Sequence, residues 1–207
     1  MSASTLLGFW AFALVFVIVP GADWAYAISA GVRGQGVIPA VLGLLTGYTV
    51  LTVVVAAGLG VLVAANPSLL MGLSIAGALY LCWLGVGMLR SPPASIKADD
   101  ATGALRGMDW YVKGTLVSGL NPKGLLFFVA FLPPWTSAQA SWGIPAQLLA
   151  LGLVYTASCS VIYTLVGLGA ERTLRTRPDA ARLIGRVSGV IMLVLAASLL
   201  YRELPMG

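Results

Sequence analysis

Two ionisable side chains stand in otherwise apolar sequence. Asp23 follows Val19-Pro20-Gly21-Ala22 near the end of the first hydrophobic stretch, and Lys123 follows Gly119-Leu120-Asn121-Pro122 in the second half of the chain. At each place proline breaks a helix, because it lacks the N–H that the helical ladder needs. Asn121 can cap exposed backbone N–H groups, and Pro122 is tolerated as a first helical residue. Asp23 is expected to cap a short helix beginning at Trp24 in the same way. Each break then leaves a helix N-terminus at membrane depth, where free donors and partial positive charge suit a carboxylate ligand.

A charge at the centre of a spanning helix costs about 2.5–3.5 kcal/mol even on the lenient insertion scale. Two such charges of opposite sign are kept here, one at each break. The chemistry they offer is uptake of a proton or an ammonium group by Asp23 and attendance on a carboxylate by Lys123. A zwitterionic ligand matches that pair. The bland alternative is a structural ion pair, or two residues snorkelling from segment ends. Asn121 reads equally as a cap or as a ligand contact. Paired breaks in corresponding halves of a membrane protein point to a transport site, so Pro20, Gly21 and Pro122 join the candidate set as its backbone frame.

The elements that must position these residues follow from composition. The 207 residues are 59% hydrophobic and only 9% charged, with a mean hydropathy of +0.95. A soluble domain carries roughly 25% charged residues, so this chain lacks the polar surface to cover itself in water. Its sequence contains six apolar runs of the length, about 20 residues, that crosses a bilayer. An all-α integral membrane protein is expected. Segment one spans about 6–29, segment two 37–63, segment three 69–89, segment four 110–132 and segment five 144–169, while segment six ends near Tyr201. Met1 to Phe9 carries no positive side chain, so the first segment is expected to stay as a helix rather than be removed as a signal sequence.

A polar stretch from Arg90 to Asp109 divides three segments from three. The expected organisation is a first three-helix repeat over 1–90, a cytoplasmic linker over 91–109 and a second three-helix repeat over 110–207. The loops after segments one, three and five, with the segment ends beside them, hold ten lysines and arginines, whereas the termini and the other loops hold only Arg202. The positive-inside rule puts those three loops in the cytoplasm and both termini outside. An odd number of helices per half makes the halves inverted, with helices one and four broken and their new ends facing each other.

Other features carry less. Gly43 and Gly47 form a GxxxG that lets a helix backbone approach closely, either within a protomer or between protomers of a homo-oligomer. Segment five groups Tyr155, Thr156, Ser158, Ser160, Tyr163 and Thr164. They read equally as a cavity lining, with Tyr155 a candidate substrate contact, or as hydroxyls bonded to their own helix. Trp135 and Trp142 are placed as interfacial anchors. The Gly31-to-Gly36 loop resembles a phosphate loop only in spacing, since no strand precedes it. Net charge is +5, but the basic residues lie mostly in loops; contact with anionic lipids is expected and nucleic-acid binding is not. With no histidine and two scattered cysteines, no metal site, cofactor or catalytic constellation is expected.

One family shares these marks in this order. Pro20-Gly21-Ala22-Asp23, Leu42-Gly43 with Gly47, Ala78-Leu79-Tyr80-Leu81 with Leu84-Gly85, and Asn121-Pro122-Lys123 with Phe127-Phe128 and Phe131-Leu132-Pro133 resemble the LysE/RhtB family of amino-acid exporters over essentially the whole chain. Ala22 stands where that family usually has a second proline, which implies a looser bend. The resemblance implies export of amino acids or related small metabolites across the bacterial cytoplasmic membrane, driven by protons. A cation exporter of the same superfamily and a non-transporting membrane partner are the alternatives.

Overall fold

The computed structural model describes residues 1–33, 36–59, 66–90, 106–173 and 178–203. Most of the expected linker (91–105), the end of segment two (60–63), part of the glycine-rich loop (34–35) and part of the last basic loop (174–177) lie outside the described residues. Among the described residues every regular element is helical.

The chain opens with α1 (Ala3–Ile18), started by Ser2, whose hydroxyl accepts the Thr5 N–H at 3.1 Å. After the first break comes α2 (Ala22–Val32). Helix α3 (Val37–Val54) runs on into a wider π turn at Val55–Leu59. Helix α4 (Pro67–Arg90) follows, then α5 (Gly107–Gly119). Past the second break, α6 (Pro122–Leu126) continues as a π turn at Phe127–Phe131 and a single 3-10 turn at Pro133–Trp135. Two long helices, α7 (Ile144–Thr173) and α8 (Pro178–Glu203), complete the chain.

By length and apolar composition, 37–58 and 144–170 can each cross a membrane. The pair α1 and α2, bent by 63°, and the pair α5 and α6, bent by 48°, each make one more span when taken as one element. The remaining two helices, α4 and α8, have 24 and 26 residues.

Two glycine seams hold helices at backbone distance. A Cβ on Gly43 would fall on the Tyr111 carbonyl, one on Gly47 would strike Ser118 Oγ, and one on Gly114 would lie 2.6 Å from the Ala40 carbonyl. The GxxxG therefore serves packing of α3 on α5 within one chain, and α5 returns a glycine of its own. Ser118 Oγ donates to the Leu44 carbonyl at 2.8 Å across the same seam. The second seam is reciprocal: Gly85 of α4 faces the Gly189 carbonyl of α8, and Gly189 faces that of Gly85, each 2.8 Å from a built Cβ. Helix α7 touches α1, α2 and α3.

The core is aromatic around the breaks. Phe9, Phe16, Phe127, Phe128 and Tyr48 are buried, and Phe12 stacks on Phe127 and Phe131 with centroids 6.1 and 5.7 Å apart. The Trp135 ring closes this cluster, meeting Phe9 and Phe12 at 5.7 and 5.8 Å, and Trp142 is exposed.

Candidate functional site

Local rules shape the first break. Pro20 forces the residue before it out of the helical region, and Val19 is extended at φ −67°, ψ 118°. Gly21, also extended, is the N-cap of α2 and offers no side chain to its N–H groups. The helix then begins at Ala22, two residues before the expected start. Asp23 is therefore not the cap. It is the second helical residue, already inside the first turn, and its carboxylate is spent on partners from other helices. It still lies at the positive end of α2, which favours an anion.

The second break follows its expected pattern. Asn121 is the N-cap of α6, its Oδ1 accepting the Lys123 N–H at 3.0 Å, and Pro122 is the first helical residue. Lys123 is thus the second residue of its short helix, as Asp23 is of its own.

From these matching positions each side chain crosses to the other break. Lys123 Nζ donates to the Val19 carbonyl at 2.6 Å and stands 5.1 Å from the centre of the Phe16 ring. Asn121 Nδ2 donates to Asp23 Oδ2 at 2.7 Å, and Tyr48 Oη donates to the same oxygen at 2.7 Å. Asn121 is thus a cap through its oxygen, while its amide reaches across to Asp23. The other carboxylate oxygen, Asp23 Oδ1, is buried and has no hydrogen-bond partner among the described residues. No direct ion pair joins Asp23 and Lys123 among those residues, although the two charges interact electrostatically. Each is 5% exposed or less, so removing one would leave the other with the uncompensated cost of a buried charge.

Lys123 sits at the wrong end of its own helix for a cation. Its ammonium instead serves the C-terminus of α1, where unpaired carbonyls gather partial negative charge. The stem that carries it there passes over Gly21: a built Cβ at that residue would lie 3.5 Å from Lys123 Cδ and 3.6 Å from Nζ. Pro20, Gly21 and Pro122 accordingly shape backbone and clearance and present no polar side-chain group.

Tyr155 lies beside this network as a wall. Its ring stacks on Phe127 at 4.3 Å and meets Tyr48 edge-on at 5.1 Å. The π turn brings Phe127 and Phe128 together on this side, closed by Leu132 N–H donating to the Phe127 carbonyl at 3.2 Å, and Phe128 stacks on Tyr48 at 5.8 Å. Cys159 and Tyr163, one and two helical turns beyond Tyr155, are buried on the same face of α7. The hydroxyls between them behave differently. Thr156, Ser158 and Ser160 donate to their own helix at Gly152, Val154 and Ala157, the self-satisfied alternative. Two open apolar grooves of about 380 and 410 Å³ flank α7, against α3 and α1, and neither is lined by Asp23 or Lys123.

Sequence reasoning missed Tyr48, Phe16 and the Val19 carbonyl. Tyr48 left one usable signal, a lone phenol beside Gly47 in an apolar run, since a buried tyrosine hydroxyl must find a partner. The carbonyl left none, because every residue has one.

The chain is similar to known proteins along most of its length. The family model described as LysE type translocator matches residues 14–203. The leucine efflux protein of Enterobacter sp. (strain 638) is 29% identical over 202 residues, covering 94% of this chain and 95% of that protein. The leucine efflux protein of Klebsiella pneumoniae is 28% identical over 198 residues, 90% of each chain. An uncharacterized membrane protein of Pseudomonas aeruginosa is 36% identical over 133 residues, 59% of this chain and 61% of that one. No solved structure matches.

Proposed function

Because the chain belongs to the LysE type translocator family, a family of membrane transporters and not of enzymes, we propose that it is a secondary transporter exporting amino acids or related small zwitterionic metabolites from the bacterial cytoplasm, driven by the proton gradient. Two relatives that span nearly its whole length are leucine efflux proteins, so leucine is the first substrate to test.

The observation that carries this reading is the buried, cross-connected pair of breaks. Asp23 and Lys123 hold the same position in two short helices, and each reaches a group on the other break. An intramembrane carboxylate with one unpartnered oxygen supports a role in taking up a proton or an ammonium group. The ammonium of Lys123 supports a role in meeting a substrate carboxylate once it leaves Val19. Tyr155 and Tyr48 wall the site. In this reading the six helical segments form two inverted three-helix repeats, 1–90 and 110–207, with both termini outside and the intervening 91–109 linker in the cytoplasm. The reciprocal glycine seam of α4 and α8 supports that symmetry, as do the matching second positions. Transport would proceed by rocking one repeat against the other.

The test is release of leucine and a mixed amino-acid pool from proteoliposomes, with and without an imposed proton gradient. Gradient-dependent release by the native chain, lost in Asp23→Asn while that variant elutes and melts as a folded protein, is the expected result. Accumulation against a gradient by Asp23→Asn would remove Asp23 from coupling.

A further inference from the structure

Lys123 is held in a small site of its own. Its ammonium meets a carbonyl with no helical partner (Val19, 2.6 Å) and a ring face (Phe16, 5.1 Å to the centroid). It also feels the charge of the Asp23 carboxylate, one oxygen of which is buried and unpartnered among the described residues. A carbonyl acceptor, an aromatic face and a carboxylate within electrostatic reach make up the recognition set of an alkylammonium group. Nothing in the set requires that the ammonium be tethered to residue 123. Nearby, the Trp24 indole donates to the Val17 carbonyl at 2.9 Å. That contact ties off an earlier carbonyl at the end of α1 and leaves Val19 for a mobile partner.

We propose that the end of α1 — the Val19 carbonyl and the Phe16 ring, in the field of the Asp23 carboxylate — is the ammonium subsite of the transport site, and that Lys123 fills it as a stand-in until the ammonium of a substrate displaces it. This rests on the transport reading above and adds a sequence of events to it. In the structure, the two breaks are latched by Lys123 on Val19 and by Asn121 on Asp23. An entering primary ammonium takes the Val19 carbonyl beside the Phe16 ring, in the field of the Asp23 carboxylate. The displaced Lys123, still anchored at the start of α6, is then available to the substrate's own carboxylate. A substrate must carry both groups to exchange the latch for itself. A bare amine opens the latch without satisfying Lys123, and a bare carboxylate does not open it.

The subsite can be tested without knowing the substrate. Lys123→Ala vacates it, and ethylammonium is a probe that supplies the lost group. Purified Lys123→Ala is expected to show faster hydrogen–deuterium exchange across residues 19–27 than the native chain. Ethylammonium chloride should restore protection saturably, whereas tetramethylammonium chloride, which has no N–H to donate, should not. Absence of rescue, or equal rescue by both salts, overturns the proposal. A second measurement uses the native chain and so does not depend on the variant folding. Hydrogen–deuterium exchange of the native chain across residues 121–126 should rise severalfold with ethylammonium but not with tetramethylammonium; exchange unchanged by ethylammonium overturns the proposal as well. The two readings fail separately. Rescue without amino-acid export would keep the ammonium subsite and discard the exporter, and export without rescue would do the reverse.

Discussion

The Asn121 amide donates to Asp23 Oδ2 at 2.7 Å, joining a helix cap in one half of the chain to a first-turn carboxylate in the other. One side chain thereby serves two helices. Its oxygen starts α6 and its nitrogen holds the charge at the start of α2.

That double role separates two substitutions. Asn121→Asp keeps a good cap but replaces the donor facing Asp23 by a second carboxylate. Asn121→Ala loses both functions. Thermal unfolding in detergent is expected to show Asn121→Ala destabilised by about 1–3 kcal/mol, from a lost cap and a lost charge-assisted hydrogen bond. Asn121→Asp should retain the helix start yet lose export. Normal transport by Asn121→Asp would show that the amide contact has no functional weight.

Tyr48 donates to the same oxygen, and its ring is packed on Phe128 and Tyr155. Tyr48→Phe removes the donor and leaves the ring. Export is expected to fall by about tenfold, matching the loss of a hydrogen bond to a charged group, with a smaller drop in melting temperature than in Asn121→Ala, which loses a helix cap as well. A melting temperature that falls in step with transport would make Tyr48 a packing residue only.

The glycine seams predict a sharp contrast among apparently similar changes. Gly114→Ala and Gly43→Ala drive a methyl into backbone on the facing helix, and such overpacking costs about 1–3 kcal/mol. Gly87→Ala meets no described atom within 4 Å and gains helix propensity, up to about 1 kcal/mol. Comparing the fraction that elutes as a single species after heating checks the order. Equal behaviour of the three variants would contradict the close α3–α5 contact.

Cys159 reports on the opening of the site. The chain has two cysteines, Cys82 half-buried and Cys159 buried beside Tyr155. In a Cys82→Ser chain, a small maleimide should modify Cys159 on the order of tenfold more slowly than it modifies Cys82 in a Cys159→Ser chain, because only locally opened molecules react. Adding leucine under turnover should quicken modification of Cys159. Rapid labelling at rest would mean that this face of α7 is not packed.

Much of this protein was determined locally, and the sequence shows it. Scarcity of charge requires the membrane, because apolar surface has nowhere else to go. Pro20 ends α1 whatever surrounds it, since the missing N–H and the clash with Val19 belong to neighbouring residues. Asn121-Pro122 starts α6 for the same reason: cap and capped N–H lie two residues apart. Even the small clearance of Gly43 and Gly47 was legible as a place where a backbone would come close.

What came close, and what the charges touch, was decided only when the helices packed. The single error at the site has this origin. Asp23 has the residue type of a cap, but α2 begins at Ala22, two residues before the expected Trp24, and Tyr48 and Asn121 arrive from elsewhere to take its carboxylate. The Val19 carbonyl becomes an ammonium acceptor only because Lys123, distant in the chain, is carried over Gly21 to reach it. The stripe on α7 divides in the same way, Tyr155 and Tyr163 turned to the core and Thr156, Ser158 and Ser160 bonded to their own helix. Caps and breaks act within a few residues, so their rules can be read along the chain. A buried polar group must find whichever partner the tertiary structure brings within about 3 Å, and no local spacing encodes that choice.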